Sequence, residues 1–297
     1  GNIVNAIMFC HSFEGNYSSI GDFHQLIGRD KLLNFDDYFF ISITSLGFPQ
    51  SCSPSTTGLR YEFPQYGIED LVNFKRQFMK EKFPNIKKMK GILGFSFGGC
   101  EALAWAAFYP DEMEFVIHFG SSYKNAGYKY IFAKLANNII ESSPHYYSDI
   151  YDESMSNVLI SISQLHYLIS FSKNYFNRMS VDEVDVTMEN FVDGSLFYDI
   201  YDIKFRNDFL VGFNLEHDLA NVKCKLLIVS IDNNNYYSPE YDSIPILNFV
   251  EGSELVVLDI GDEPNELNYI CQIEDEINEF LSLERKSGSA GMPRPIS

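Results

Sequence analysis

Short apolar runs alternate along the chain with segments whose apolar residues recur at helical spacing. The runs predict strands at residues 3–10, 38–44, 89–95, 114–120, 225–231 and 254–260. Between the second and third strands, residues 67–83 place apolar side chains on one side of a helix and charges on the other. Strands that alternate with helices are typical of the α/β class. We therefore predict a mostly parallel sheet flanked by helices.

The alternation of strand and helix patterns stops at residue 121, where long, aromatic-rich helical patterns begin and continue to residue 219. An insertion of this size is most simply a helical lid over the carboxyl ends of the strands, where open sheets bind ligands. The predicted domains are a core over 1–120, the lid over 121–219 and a second part of the core over 220–283, which closes with a helix. Residues 284–297, rich in Gly, Ser and Pro, predict a flexible tail.

The composition limits the partners and the kinds of site that the protein can have. The 297 residues include 41 acidic and 22 basic side chains, a net charge of −19, which repels phosphate backbones and anionic membranes. The sequence therefore excludes nucleic acid and membrane surfaces as partners. Five scattered cysteines without a CxxC pair indicate neither a disulfide framework nor a zinc site. Because no apolar run approaches the length of a membrane span, we expect a cytoplasmic protein.

The stretch "GFSFGG" carries the strongest chemical signal. It places Ser96 between Gly94 and Gly98, after a predicted strand and before a predicted helix. This order is what a nucleophile elbow requires, because the sharp turn pushes the serine hydroxyl out over the sheet edge. The backbone N–H of Phe97, at the helix start, then suits a developing oxyanion. The loop after the first strand offers Phe13 N–H as a second donor, unless that loop merely connects strand to helix.

Several blocks of sequence in the same order resemble the homoserine O-acetyltransferase family of α/β hydrolases. They are "CHSFEGNYSSIGDFHQLIGRDKLLNFDDYFFISITSLG", "GFSFGGCEALAWAAFYPDE", "SSYKNAGYKYIFAKLANNIIESSP" and "HDLANVKCKLLIVSIDNNNYYSP". The resemblance spans most of residues 3–283. It implies an α/β-hydrolase fold in which the serine takes an acetyl group from acetyl-CoA and passes it to a small hydroxyl acceptor. It implies acetyl-CoA as a co-substrate and a homodimer as a family expectation. From the residues themselves we expect no bound cofactor or metal.

The other two members of a catalytic triad depart from the family pattern. Counting back from the aromatic residue of the family's acid motif gives Asn234, whose amide cannot steady an imidazolium. Asp232, two residues earlier, could take that role if the loop is shifted. The family's histidine position after the last strand holds Asp262. Without a base the serine hydroxyl stays protonated, so the triad is incomplete by sequence.

Another histidine could serve as the base. The chain contains His11, His24, His118, His145, His166 and His217. His118 ends the strand after the elbow helix, next to the serine strand, and is the first candidate substitute. The three later histidines, in the lid region, could reach inward. A satisfied structural histidine is the competing interpretation for each of them, and it is the one favoured for His11 and His24.

Three functions remain open. The first is a serine-dependent acyltransferase that uses a small-molecule acyl donor and a hydroxyl acceptor. The second is an esterase of the same fold. The third is a catalytically silent relative that binds a small acyl compound or a protein partner, because Asn234 and Asp262 occupy the expected acid and base positions.

Overall fold

The sheet is built from six parallel strands. The structure, a computed structural model, describes residues 5–148, 153–263 and 265–289. The strands are β1 (Ala6–Cys10), β2 (Phe39–Ser42), β3 (Met89–Phe95), β4 (Met113–Phe119), β5 (Lys225–Ile231) and β6 (Glu254–Leu258). Their order across the sheet is β2-β1-β3-β4-β5-β6, and every neighbouring pair is parallel. The predicted α/β class is confirmed; residues 3 and 4 of the predicted first strand lie outside the described residues.

Helices lie on both faces of the sheet, and others are inserted between β4 and β5. They are α1 (Pro54–Thr57), α2 (Ile68–Lys82), α3 (Phe97–Phe108), α4 (Tyr128–Glu141), α5 (Glu153–Ser170), α6 (Lys173–Asn177), α7 (Val181–Ser195), α8 (Ile200–Gly212) and α9 (Glu274–Ser289). The helix predicted over 67–83 is α2. Its first turn carries Asp70, which accepts a hydrogen bond from the N–H of Gly67 at 2.8 Å and so caps the helix.

Alternate residues of the strands enter opposite cores, as the two-residue period of a strand requires. Met8 and Ile92 pack with residues of α2 and α3 on one face. Ile7 and Leu93, their neighbours in sequence, pack with residues of α9 on the other. Because both faces of the sheet are covered, its strands read as near-continuous apolar runs, and this made them visible in the sequence.

Helices α4 to α8 occupy the chain between β4 and β5, where the sequence predicts a lid. They hold a hydrophobic cluster of their own, formed by residues of α4, α5 and α8. Phe205 and Phe209 of α8 also belong to the core cluster that lies against α3. The lid is therefore packed directly against the helix that follows the serine.

The carboxyl end differs from the prediction. The predicted closing helix starts as a 3-10 helix over Glu266–Ile273 and continues as α9 to Ser289, six residues into the predicted tail. Glu284, Arg285 and Lys286 are good helix formers, so α9 continues through them at little cost. Residues 290–297 lie outside the described residues. None of the helices described within 5–148, 153–263 and 265–289 is long and apolar enough to cross a membrane.

Candidate active site

Ser96 sits in a strained turn between β3 and α3. Its backbone has φ 54° and ψ −120°, a conformation that side-chain-bearing residues rarely adopt. A Cβ on Gly94 would lie 2.2 Å from the carbonyl oxygen of Gly98, and a Cβ on Gly98 would lie 2.0 Å from that of Cys10. The Ser96 N–H donates to the Phe119 carbonyl at 2.9 Å, which ties the turn to β4. Only glycine therefore allows β1, β3 and α3 to approach closely enough to form this turn.

The two predicted oxyanion donors flank the turn. Phe97 is the first residue of α3, where backbone N–H groups have no acceptor within the helix. Phe13, in the loop after β1, packs its ring against that of Phe97 at 6.0 Å. Arg206 of the lid donates from Nη1 to the Phe13 carbonyl at 2.7 Å, and its guanidinium lies 4.5 Å from the Phe13 ring. Arg206 thus fixes the loop that carries the second donor, and the oxyanion role of both amides stays a prediction.

Ser96 opens into a small cavity of about 100 Å³ between the sheet and the lid. The lining residues are Phe13, Glu14, Ser96, Phe132, Ile162, Ser163, His166, Ser195, Tyr198, Ile203, Arg206, Asn207, Leu210, Tyr236 and Tyr237. Most of them come from the lid. A cavity of roughly 150 Å³ holds a benzene molecule, so this one suits a group of a few carbon atoms.

Tyr237 lines the cavity together with Ser96. Burial raises the pKa of its hydroxyl well above the ordinary tyrosine value, although the interaction with Ser96 acts in the opposite direction. The phenol therefore stays protonated near neutral pH. It can donate a hydrogen bond to Ser96, but it cannot take a proton from it.

Asn234 and Asp232, the alternative acid positions, do not line this cavity. The Asn234 Oδ1 accepts from the backbone N–H groups of Tyr236 and Tyr237 at 2.9 and 2.8 Å. This turn aims the two tyrosines at the serine. Asp232 instead lines a separate polar cavity of about 320 Å³, together with Asp262 and the first residues of α6.

Asp262, at the expected histidine position, holds the lid. Its Oδ1 accepts from the Ser172 hydroxyl at 2.7 Å, and its Oδ2 lies 3.3 Å from Arg178 Nη2. Ser172 is the N-cap of α6 and Arg178 follows the last residue of the same helix. Asp262, four residues beyond the end of β6, thus contacts both ends of a lid helix.

His118, the first candidate substitute, is fully buried in β4. It pairs in register with Gly94, two residues before the serine, and its Nδ1 lies 3.1 Å from the Gly99 carbonyl oxygen in α3. Burial lowers its pKa to about 4. The sequence placed the residue on the correct strand, but its side chain lies beneath α3 and does not line the cavity. The structure therefore does not bring His118 and Ser96 together there.

His11 is held as a structural group. Its Nε2 accepts from the Ser45 N–H at 3.0 Å while its Nδ1 lies 2.8 Å from the Ser12 carbonyl oxygen. Burial lowers its pKa to about 3. Both ring nitrogens are therefore engaged, and the neutral ring supports the start of the loop after β1. His24 and His217 are exposed and do not line the cavity.

His166 is the lid histidine that does line the cavity. Its Nδ1 lies 3.2 Å from Oε1 of Glu14, another lining residue, in the loop after β1. Rings on α4 and α7, Phe132 and Phe191, lie 5.8 and 5.7 Å from the imidazole. Burial alone would raise the pKa of Glu14, but the contact with His166 brings it below its ordinary value.

Sequence reasoning left His166 among several histidines and missed the contribution of Glu14, Arg206 and Tyr237. A signal for His166 was present. On α5 it is spaced seven residues after Leu159 and four after Ile162, both buried, which places it on the inward side of the helix. A lone polar residue on such an apolar stripe is a candidate for a role inside the protein.

The parallel sheet, the elbow at Ser96 and the helices inserted after β4 define an α/β hydrolase. Residues 5–259 match the family described as alpha/beta hydrolase fold, and the chain belongs to that family. Among its relatives is a probable acyltransferase from Methanothermobacter thermautotrophicus, 36% identical over 87% of this chain and 79% of the relative. A homoserine O-acetyltransferase from Leptospira biflexa is 24% identical over 96% of this chain and 85% of the relative.

Solved structures share the fold. An acetylester hydrolase from Corynebacterium glutamicum aligns with a TM-score of 0.82 at 24% identity, covering 94% of this chain and 86% of that one. The homoserine O-acetyltransferase from Bacillus anthracis aligns with a TM-score of 0.78 at 18% identity, covering 93% and 88%. The similarity to the acetyltransferase family expected from the sequence is confirmed, and both transferases and esterases share this architecture.

Proposed function

We propose that the protein is an acyltransferase that works through an acyl-Ser96 intermediate. The observation that carries the proposal is the strained turn that places Ser96 in the wall of a mostly apolar cavity of about 100 Å³. The volume supports a short acyl group rather than a whole coenzyme inside it. The 36% identical relative named a probable acyltransferase supports the same reaction type.

In this reaction the Ser96 oxygen attacks the carbonyl carbon of an acyl thioester such as acetyl-CoA, while its proton passes to a base. The N–H groups of Phe97 and Phe13 stabilise the oxyanion that forms. The thiol leaves with a proton, and the acyl group stays on Ser96. A small hydroxyl acceptor then attacks the acyl carbon, gives its proton to the base and leaves as the ester, while Ser96 regains its proton.

Two experiments test this function. A fluorophosphonate probe should label Ser96 stoichiometrically, and Ser96→Ala should abolish the labelling. Ser161→Ala, an exposed serine on α5, is the matched control and should label like the unaltered protein. Release of free thiol from acetyl-CoA should then depend on a hydroxyl acceptor. A folded protein that takes up no label and releases no thiol would contradict the proposal.

The esterase alternative differs only in the acceptor, which is water. It predicts thiol or alcohol release that small hydroxyl compounds do not accelerate and a free acid as the product. The relative named a probable acyltransferase, 36% identical to this chain, favours transfer.

A binding protein without turnover is the second candidate. The observation in its favour is that Asn234 and Asp262 are both engaged in contacts that hold a turn and a lid helix. This function predicts saturable binding of a short-chain acyl compound that Ser96→Ala leaves intact, with no covalent label on the serine.

A further inference from the structure

Asp262 stands at the position of the family's usual base and does not line the cavity. The group that accepts the Ser96 proton must therefore be another residue of the cavity wall. Tyr237 is a protonated phenol, and Arg206 is a cation that cannot accept a proton. Imidazole is the side chain that most readily takes up a proton near neutral pH, and among the described lining residues His166 supplies it.

We propose that His166, carried by lid helix α5, is the base that takes the proton of Ser96, and that Glu14 in the loop after β1 orients its imidazole. The proposal rests on the proposed function. Both positions differ from those of the family's base and acid. The base comes from the lid, and the acid comes from the loop that also carries the Phe13 oxyanion donor.

The geometry of the pair fits these roles. Glu14 Oε1 lies 3.2 Å from Nδ1 of His166, which leaves Nε2 as the nitrogen that can accept a proton. A carboxylate on one imidazole nitrogen fixes the tautomer and stabilises the imidazolium that forms on proton transfer. The rings of Phe132 and Phe191 lie against the imidazole and restrict its rotation. Both residues of the pair and Ser96 line one cavity of about 100 Å³.

The proton balance closes. The Ser96 Oγ–H bond breaks as Oγ bonds to the acyl carbon, and the proton moves to His166 Nε2. The imidazolium then gives that proton to the leaving thiolate. In the second half-reaction the acceptor hydroxyl loses its proton to the same nitrogen, and Ser96 Oγ recovers it as the ester departs. No further reactant is required.

The test compares second-order rate constants for fluorophosphonate labelling. His166→Gln should label at least about 100-fold more slowly, because a general base contributes 10²- to 10⁴-fold. Glu14→Gln should show a smaller loss, about tenfold, since the Glu14 side chain is 41% exposed and water replaces part of its effect. His217→Gln and Glu251→Gln, both exposed, are matched controls that should label like the unaltered protein.

Two further readouts separate a base from a structural contact. In His166→Ala, added imidazole should restore part of the labelling rate, which repacking of the lid would not produce. The rate for the unaltered protein should rise with pH along one ionisation that is absent from His166→Gln. The other ionisable groups that line the same cavity are Glu14, Arg206, Tyr198, Tyr236 and Tyr237, while α4 and α7 place phenylalanine rings beside the imidazole. Burial raises the pKa values of the three tyrosines and lowers that of Arg206.

The outcomes are distinguishable. If the unaltered protein labels at Ser96 but His166→Gln and Glu14→Gln label within twofold of it, the base assignment is overturned and the proposed function stands. If the unaltered protein does not label at all, the proposed function itself fails. A large loss in both variants, with imidazole rescue in His166→Ala, supports the assignment even if one variant is less stable.

Discussion

The helix that follows the serine is anchored by a charge pair in the core. Lys75 Nζ of α2 lies 2.8 Å from Oε2 of Glu101 in α3, and both side chains are fully buried. The same oxygen accepts from the Ser45 hydroxyl at 3.0 Å. We predict that Lys75→Met strongly destabilises the protein, because it leaves the Glu101 carboxylate buried and without its counter-charge.

The expected size follows from burial. Breaking a fully buried pair costs about 3–5 kcal/mol in the free energy of unfolding. An unfolding entropy of about 2.1 cal/mol/K per residue, applied to 297 residues, converts this loss into a fall of about 5–8 °C in melting temperature. The matched control is Lys223→Met, which breaks a 3.5 Å pair whose side chains are 65% and 84% exposed, so it should change the melting temperature by less than about 1 °C.

The assay is thermal unfolding followed by far-ultraviolet circular dichroism. The double variant Lys75→Met/Glu101→Gln should recover at least half of the loss, since the neutral amide no longer buries a charge and still accepts from Ser45. The reasoning is refuted if Lys75→Met melts within 1 °C of Lys223→Met. It is also refuted if the double variant melts below the single one.

The remaining predictions concern the elbow and acid stability. Gly98→Ala should abolish labelling of the serine in a folded protein, because its Cβ would lie 2.0 Å from a backbone oxygen of β1. Gly194→Ala is the control, since its Cβ would meet no atom within 4 Å. Full labelling of Gly98→Ala would contradict this prediction. The pKa values of His118 and His11 are lowered to about 4 and about 3, so the unfolded chain takes up protons below about pH 6.5 before the folded protein does, and stability falls as pH falls. In urea titrations, His118→Gln should reduce the slope of the unfolding free energy against pH, between pH 5 and 6, by up to about 1.4 kcal/mol per pH unit. The exposed His24→Gln is the control. An unchanged slope in His118→Gln would show that His118 does not contribute to acid sensitivity.

The sheet and the elbow were predictable because local sequence determines them. Continuous apolar runs marked the six strands to within a few residues at each end, and the glycines around Ser96 reflect contacts that tolerate no side chain. The end of α9 was less predictable, since charged residues with good helix propensity precede the Gly- and Pro-rich stretch.

The partners of the serine could not be predicted in the same way. Once the strands and lid helices are packed, the His118 side chain lies beneath α3 and the His166 side chain lines the cavity. No short stretch of sequence encodes this difference. The contact between Glu14 and His166 joins residues 152 positions apart in the chain, one in the loop after β1 and the other on lid helix α5. The sequence therefore showed that the family's histidine position holds Asp262, while tertiary packing determines which groups surround the hydroxyl.

Most of the wall around the serine comes from helices inserted between β4 and β5, whereas the turn that holds the serine comes from β1, β3 and α3. The two parts are encoded by separate stretches of chain. Substitutions in the inserted stretch can resize the cavity, and thus change which compounds fit, without touching the glycines that make the turn. The shape of the cavity and the backbone of the turn can therefore be altered independently of each other.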